Sequence, residues 1–333
     1  MASTAVRPDH LVWERTDVWG RPALYGHAGG GDGLPVLFLH GWALGHHSYK
    51  RPLNRLARMG CRVYAPAQPG FGGTPDLPGD RFDFAGYAEW AADFLDAVGV
   101  EEPALVIGHS FGGGVSIQLA HDHPEKVRSL VLVNSIGGSN RPWDWALRMS
   151  GDAFAIPQLT KVLPVVLEDA LPNAIRNPRS LWRVGNLARR ADLTEELEEL
   201  KRRELPVVVL WGDKDRIVPK ESFAAMCAAL GSEGEVINGN HSWLLADPDA
   251  FAFAITRSLR SLGPPSESKR RRRRAKRETR RRSGELQGAA ADRRSRLGLR
   301  RLFFAVSRRG RLRRRQRPTE GAVLRSSGRR AAG

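Results

Sequence analysis

Ser110 stands at the centre of the pentapeptide Gly108-His109-Ser110-Phe111-Gly112. The apolar run 104–107 predicts a buried strand that enters this motif, and residues 113–120 predict a helix that leaves it. A strand, a sharp turn and a helix in this order expose a serine as a nucleophile. Glycine at each end of the pentapeptide suits such a turn, since side chains there would collide with the adjoining elements. The sequence therefore predicts nucleophilic chemistry at Ser110.

Two loops downstream of Ser110 carry aspartates and a histidine. The loop Gly212-Asp213-Lys214-Asp215-Arg216-Ile217-Val218-Pro219 follows the apolar run 207–211, and Gly239-Asn240-His241 comes later. A serine hydroxyl becomes a strong nucleophile when a histidine takes its proton and a carboxylate orients that histidine. Asp213 and Asp215 are both candidates for the carboxylate.

The elements that must position these residues are predicted by hydrophobic patterning. Short continuous apolar runs, typical of strands that are buried on both faces, alternate with stretches of helical spacing. This alternation predicts an α/β fold with a mostly parallel, doubly wound sheet. Residues 140–205 interrupt it with frequent prolines and without a buried strand, which predicts an inserted helical cap. The predicted strands lie at residues 34–39, 61–65, 104–107, 127–133 and 207–211, and the predicted core comprises residues 1–139 and 206–263.

Four separated motifs resemble those of the α/β-hydrolase family, in the family's order, over roughly residues 12–262. They are His40-Gly41-Trp42, Pro69-Gly70-Phe71-Gly72-Gly73-Thr74, the pentapeptide at Ser110, and the acid loop followed by the histidine loop. One departure is Ala67-Gln68 before the second motif, where the family often has an aspartate, and it is expected to change the hydrogen bonds at that strand end.

The resemblance implies a role for each matching residue. Ser110 is the nucleophile, His241 the base, and Asp215, rather than Asp213, the acid. The backbone amides of Trp42 and Phe111 are expected to form the oxyanion hole. The resemblance implies neither a metal ion nor an organic cofactor. The residues expected to line the substrate pocket are His40, Gly41, His109 and Trp243.

A serine at position 110 favours attack on an acyl carbon, since relatives that open epoxides or cleave carbon–halogen bonds carry aspartate there. The leading hypothesis is a hydrolase for esters of small or medium apolar acyl groups. C–C bond hydrolysis, cofactor-free haloperoxidation and perhydrolysis use the same residues in some relatives and stay open. A non-catalytic ligand-binding protein on the same fold is the alternative of another class. The aromatic cap residues Trp143, Trp145, Phe154 and Trp182 suggest an apolar acyl pocket, or aromatic packing of the cap on the core.

The charge of the chain is concentrated at its C-terminal end. The whole sequence has a formal net charge of +17, yet residues 264–333 alone hold 26 basic and 5 acidic residues. Such self-repelling, arginine-rich sequence predicts a disordered tail. A role in binding nucleic acid or an anionic membrane, a solubilising role, and no selected role at all remain open for it. The N-terminus lacks an apolar run of signal-peptide length, which favours a cytoplasmic protein.

Overall fold

A computed structural model describes residues 9–138 and 166–262 of the chain. The chain divides into two units, Met1–Gly263 and Pro264–Gly333. The predicted disordered tail and residues 140–165 of the predicted cap lie outside the described residues, so the predicted domain boundaries stay predictions. Within the described ranges, the helices are all too short or too polar to cross a membrane.

The described elements alternate between strands and helices. The strands are β1 (Val12–Val18), β2 (Arg21–Ala28), β3 (Pro35–Leu39), β4 (Arg62–Pro66), β5 (Ala104–His109), β6 (Val127–Val133), β7 (Val207–Gly212) and β8 (Glu235–Ile237). The α-helices are α1 (Lys50–Arg58), α2 (Phe84–Ala97), α3 (Phe111–Asp122), α4 (Leu171–Arg176), α5 (Pro178–Arg189), α6 (Thr194–Arg202), α7 (Lys220–Leu230), α8 (Trp243–Ala246) and α9 (Pro248–Ser261). Two 3-10 helices, His46–Tyr49 and Gly79–Arg81, and a π-helical turn, Val166–Ala170, complete the list.

The strands form one sheet in the order β1-β2-β4-β3-β5-β6-β7-β8. Neighbouring strands from β4 to β8 run parallel, whereas β1 and β2 add an antiparallel hairpin at one edge. The predicted mostly parallel α/β architecture is confirmed. The hairpin β1–β2 and the short strand β8 were not among the predicted strands.

Both faces of the sheet are covered, as the continuous apolar runs require. In β3, Leu37 and Leu39 pack into the cluster that contains α2 and α3, while Val36 and Phe38 pack into the cluster that contains α1 and α9. Successive side chains of a strand point to opposite faces, so an apolar residue at every position fills two cores. This explains why β3 is buried along its whole length.

The chain order creates a crevice beside β3. After β3 the chain moves outward to β4 on one side and then returns to β5 on the other side. In open α/β sheets, ligands bind outside the carboxyl ends of the strands at such a reversal. The loops that follow β3, β5, β6 and β7 all begin at this end of the sheet.

The described part of the predicted cap contains the π-helical turn and helices α4, α5 and α6. Polar side chains of this segment contact the loop that follows β4. Asn173 of α4 accepts a hydrogen bond from Gly72 N at 3.0 Å, and Asn177 donates to Gly70 O at 3.2 Å. Ser180 of α5 donates to the Asp76 carboxylate at 2.6 Å. Polar side chains therefore hold this part of the cap to the glycine-rich turn after β4.

We predict that Gly112→Ala destabilises the protein by at least about 1–3 kcal/mol, the usual cost of overpacking. A Cβ atom at position 112 would lie 2.2 Å from Leu39 O and 2.6 Å from His40 O, and these backbone atoms cannot easily move. The measurement is the free energy of unfolding in urea. The matched control is Gly79→Ala, since a Cβ atom at Gly79 meets no atom within 4 Å. Equal stability of the two variants would contradict the prediction.

Candidate active site

Ser110 occupies the turn between β5 and α3 in a backbone conformation that is rare for a residue with a side chain. Its φ is 53° and its ψ is −116°, and it forms the N-cap of α3. The conformation is held from both sides, because Ser110 N donates to Val133 O at 3.1 Å and Ser110 O accepts from Gly113 N at 3.0 Å. A left-handed non-glycine residue costs about 1–3 kcal/mol and persists where its surroundings enforce it. The predicted strand, turn and helix around Ser110 are thus present.

His241 and Asp215 are in direct contact at the same end of the sheet. His241 Nδ1 lies 2.9 Å from Asp215 Oδ2, and both side chains are shielded from solvent. Since a carboxylate oxygen only accepts, Nδ1 carries the proton and donates it to this bond. That tautomer leaves the Nε2 atom of a neutral imidazole available as a base. The His241 ring centroid is 4.9 Å from that of His109, the residue before Ser110.

The two candidate acids have different surroundings. Asp215 is 8% exposed, and its Oδ1 accepts hydrogen bonds from Ile217 N at 2.7 Å and Val218 N at 2.9 Å. Asp213 is exposed, and its Oδ1 accepts from Gly239 N at 2.9 Å. Asp215 therefore contacts the histidine, whereas Asp213 braces the loop that carries it.

Asn134, at the carboxyl end of β6, connects Asp215 to the histidine loop. Its Nδ2 donates to Asp215 Oδ2 at 2.5 Å, and its Oδ1 accepts from Trp243 Nε1 at 2.8 Å. The Trp243 indole is 3% exposed and packs near Phe251. Trp243 thus has a described role in holding Asn134, and its predicted role in a substrate pocket stays a prediction.

The surroundings of Asp215 favour its charged form. Burial raises the pKa of the Asp215 carboxyl, but the charge of His241 and hydrogen bonds from His241, Asn134 and Val218 together outweigh it. The pKa of Asp215 is therefore lower than usual. A carboxylate at this position can stabilise positive charge on His241.

His109 joins the loop after β3 to the histidine loop through both ring nitrogens. Tyr49 OH accepts from Gly41 N at 3.1 Å and donates to His109 Nδ1 at 2.8 Å. His109 Nε2 donates to His241 O at 3.0 Å. Burial, followed by the effect of neighbouring His241, lowers the pKa of His109 to about 3, so the ring is neutral. The ring therefore connects both loops to the residue before Ser110, and its predicted contact with substrate stays a prediction.

His40 has a similar arrangement at the end of β3. Its Nδ1 donates to Gly41 O at 2.9 Å, and its Nε2 accepts from Gln68 N at 2.9 Å. Gln68 Nε2 in turn donates to His40 O at 2.7 Å. Burial lowers the pKa of His40 to about 4. The glutamine that departs from the family pattern therefore secures His40.

The β3 loop, defined as residues 40–49, has a strained point next to Trp42. Ala43 has a φ of 65°, a conformation that is unfavourable for alanine. The Trp42 indole Nε1 donates to Leu181 O of α5 at 2.7 Å. Phe111, the other predicted oxyanion donor, is the first residue of α3, and the first amides of an α-helix have no partner inside the helix. The oxyanion roles of Trp42 and Phe111 stay predictions.

The side chain of one aromatic cap residue, Trp182, does not lie where the sequence predicted. Trp182 is 71% exposed, so neither an acyl pocket nor packing on the core describes its side chain. Its position on α5 explains this, because Ser180 and Val184 are the buried residues on either side. The other aromatic residues of the cap prediction, Trp143, Trp145 and Phe154, lie outside the described residues.

Sequence reasoning missed Tyr49, Asn134, Asp169 and Asn173 as parts of this region. A polar residue directly after a buried strand was the available signal for Asn134. The other three residues lie in local contexts without a recognisable motif. Among the described residues, side chains of His, Cys, Asp and Glu nowhere group in threes that could hold a metal ion.

Known proteins are similar to this chain in sequence and in fold. The family model described as alpha/beta hydrolase fold matches residues 35–171. A Mycobacterium phage D29 protein named as a non-heme haloperoxidase is 28% identical over 257 residues, which cover 70% of this chain and 90% of that protein. The pimeloyl-[acyl-carrier protein] methyl ester esterase of Neisseria meningitidis is 28% identical over 241 residues, 65% of this chain and 89% of that protein. The crystal structure of an esterase from Rhodococcus sp. ECU1013 has a TM-score of 0.61 at 24% identity and covers 75% of this chain and 99% of that one.

We predict that the free energy of unfolding decreases as the pH falls below about 6.5, the ordinary pKa of histidine. There the unfolded chain binds protons on His40 and His109, whereas the folded chain does so only near their lowered pKa values of about 4 and about 3. The unfolded state then binds more protons, so stability rises with pH. Each such histidine adds up to about 1.4 kcal/mol per pH unit to this slope. Urea unfolding between about pH 5 and pH 7 measures it.

His109→Gln should reduce this slope, because it removes one of the groups that titrates differently in the two states. The control is His10→Gln, which replaces an exposed histidine and leaves the buried ring of His109 in place. An unchanged slope in His109→Gln would show that the buried ring does not produce the effect.

Proposed function

Because the chain belongs to the α/β-hydrolase fold family, we propose that it is a cofactor-independent serine hydrolase that cleaves esters of small or medium apolar acyl groups. The relative named as a methyl ester esterase supports an enzyme of the hydrolase kind. The observation that carries the proposal is the buried hydrogen bond between His241 and Asp215, with the His241 ring 4.9 Å from that of His109, the residue that precedes Ser110 and its left-handed turn.

The proposed reaction proceeds in two steps through an acyl-enzyme. His241 removes the proton of the Ser110 hydroxyl as its oxygen attacks the acyl carbonyl, and then gives that proton to the leaving alcohol. Water, activated by the same histidine, then hydrolyses the acyl-enzyme and restores Ser110. Asp215 keeps the proton of His241 on Nδ1 and balances the charge of the imidazolium. The amides of Trp42 and Phe111 would bind the oxyanion that forms in each step.

A second candidate is haloperoxidation or perhydrolysis with the same residues. This candidate is supported by the similarity to the phage protein that is named as a non-heme haloperoxidase. An acyl-enzyme attacked by hydrogen peroxide instead of water would yield a peracid, so both reactions begin with acylation of Ser110. Assays of ester hydrolysis with and without hydrogen peroxide, across a series of acyl chain lengths, distinguish the two.

We predict that a fluorophosphonate probe labels the wild-type protein at Ser110 and that Ser110→Ala is not labelled. An activated serine oxygen attacks the phosphorus atom of the probe and displaces fluoride, whereas an unactivated hydroxyl reacts far more slowly. Mass spectrometry of the labelled peptide identifies the site, and hydrolysis of p-nitrophenyl esters measures activity. Ser116→Ala is the control, because Ser116 Oγ is buried and donates to Gly112 O. Ester hydrolysis that persists in Ser110→Ala would refute the proposed nucleophile.

The pair Asp215→Asn and Asp213→Asn tests the proposed acid. An amide at 215 would present N–H groups to His241 Nδ1 and favour the wrong tautomer, so kcat should fall on the order of 10⁴-fold. An amide at 213 still accepts from Gly239 N, so kcat should stay within about threefold of the wild type. Steady-state kinetics on the same ester decide. Similar losses in the two variants would argue that the loop, rather than the Asp215 charge, matters.

A further inference from the structure

Hydrogen bonds join the β3 loop to the cap at several points near Trp42. Asp169 of the π-helical turn accepts from Gly45 N at 3.2 Å, from Ser48 N at 2.9 Å and from the Ser48 hydroxyl, all at Oδ2. Asn173 donates to Ala43 O at 3.1 Å. These partners are more than 120 positions apart in the chain, so the contacts depend on docking of the cap.

The Asp169 carboxylate caps a helix that lacks a cap of its own. Gly45 is the N-cap of the 3-10 helix His46–Tyr49 and cannot provide a side-chain acceptor. Side chains with oxygen acceptors normally satisfy the first amides of a helix, and acidic ones also interact favourably with its dipole. A Cβ atom at Gly45 would lie 3.2 Å from both oxygens of Asp169, so the glycine leaves room for the carboxylate.

The side chains of Asp169 and Asn173 are buried, although they lie where the cap meets the β3 loop. Asp169 is 7% exposed and Asn173 is 5% exposed. A buried carboxylate is costly unless hydrogen bonds surround it, and Asp169 accepts three. The hydrogen bonds therefore hold the Asp169 carboxylate in place against the β3 loop.

Ala43, the strained residue of the loop, is the residue to which Asn173 donates its hydrogen bond. Ala43 directly follows Trp42, has a φ of 65°, and receives the Asn173 amide at its carbonyl oxygen. A left-handed alanine relaxes unless its neighbours prevent this. Rotation of the Ala43 backbone would also turn the preceding peptide units, which include the amide of Trp42.

We propose that Asp169 and Asn173 are positioning residues that hold the β3 loop in the conformation in which the Trp42 amide meets the oxyanion. The inference rests on the proposed function and deepens it, since it makes the cap a part of the machinery that stabilises the transition state. At the other end of the loop, Tyr49 accepts a hydrogen bond from Gly41 N and donates one to His109 of β5, which ties the loop to the core. The loop is thus fixed between the core and the cap.

Variants of the full-length protein with matched controls test this. Asp169→Ala removes the acceptor for the helix, and Asn173→Asp keeps an acceptor for Gly72 N but removes the donor to Ala43. Ser180→Ala and Asn177→Ala are the controls, because they remove cap contacts to Asp76 and Gly70, away from the β3 loop.

Both test variants should lower kcat for a p-nitrophenyl ester by at least about tenfold, towards the 10²–10³-fold typical of a lost oxyanion donor. KM should stay within about twofold, because the oxyanion forms only after binding. Asp169→Asn keeps a neutral acceptor and should recover part of kcat. The controls should keep kcat. A wild-type kcat in both test variants, or an equal loss in the controls, would overturn the proposal.

Hydrogen exchange of the peptide 41–49 supplies a readout that does not need activity. Its amides should exchange faster in Asp169→Ala and Asn173→Asp than in Ser180→Ala. If the wild type neither hydrolyses esters nor reacts with the fluorophosphonate, the proposed function fails. Hydrogen exchange of the peptide 41–49 then still shows whether the cap holds the β3 loop. Equal exchange rates of these amides in all variants would overturn the inference about Asp169 and Asn173 as well.

Discussion

The left-handed backbone of Ser110 requires helix α3 to approach strands β3 and β5 more closely than side chains normally allow. The Cα atom of Gly112 lies against the carbonyl groups of Leu39 and His40, and a single added methyl group would overlap them. This contact brings the first turn of α3 beside the end of β3. The serine turn and the loop after β3 therefore occupy fixed positions relative to each other, and the other loops of the site are arranged around them.

Those other loops are tied together by buried neutral side chains. His109 bridges Tyr49 to the His241 backbone, and Asn134 bridges Trp243 to Asp215. Each bridge uses both a donor and an acceptor on one side chain, so its removal would leave buried polar atoms on two different loops. Such a network favours one arrangement of the loops before substrate arrives, and an enzyme that stabilises charge in its transition state depends on this kind of preorganisation.

The sequence predicted the parts of the fold that have a strong local pattern. The fully buried strands, such as β3 and β5, are continuous apolar runs, and the turn at Ser110 is flanked by the expected strand and helix. Strand β1 was missed because its exposed and half-buried residues do not alternate regularly. The contacts of His109 and Asn134 join residues far apart in the chain, and residue spacing carries no information about them. The exposure of Trp182 could not be foreseen either, because residue type alone does not tell which side of a helix faces the core.

The two outer strands of the sheet have consequences for the protein in concentrated solution. Edge strands offer unpaired backbone groups to which another chain can add. Along β1, Glu14, Arg15 and Asp17 are exposed, and charged side chains of this kind oppose edge-to-edge pairing. At the other edge of the described sheet, β8 has a length of only three residues, which leaves a short template. The charged side chains of β1 and the short length of β8 thus both oppose aggregation through the edges of the sheet.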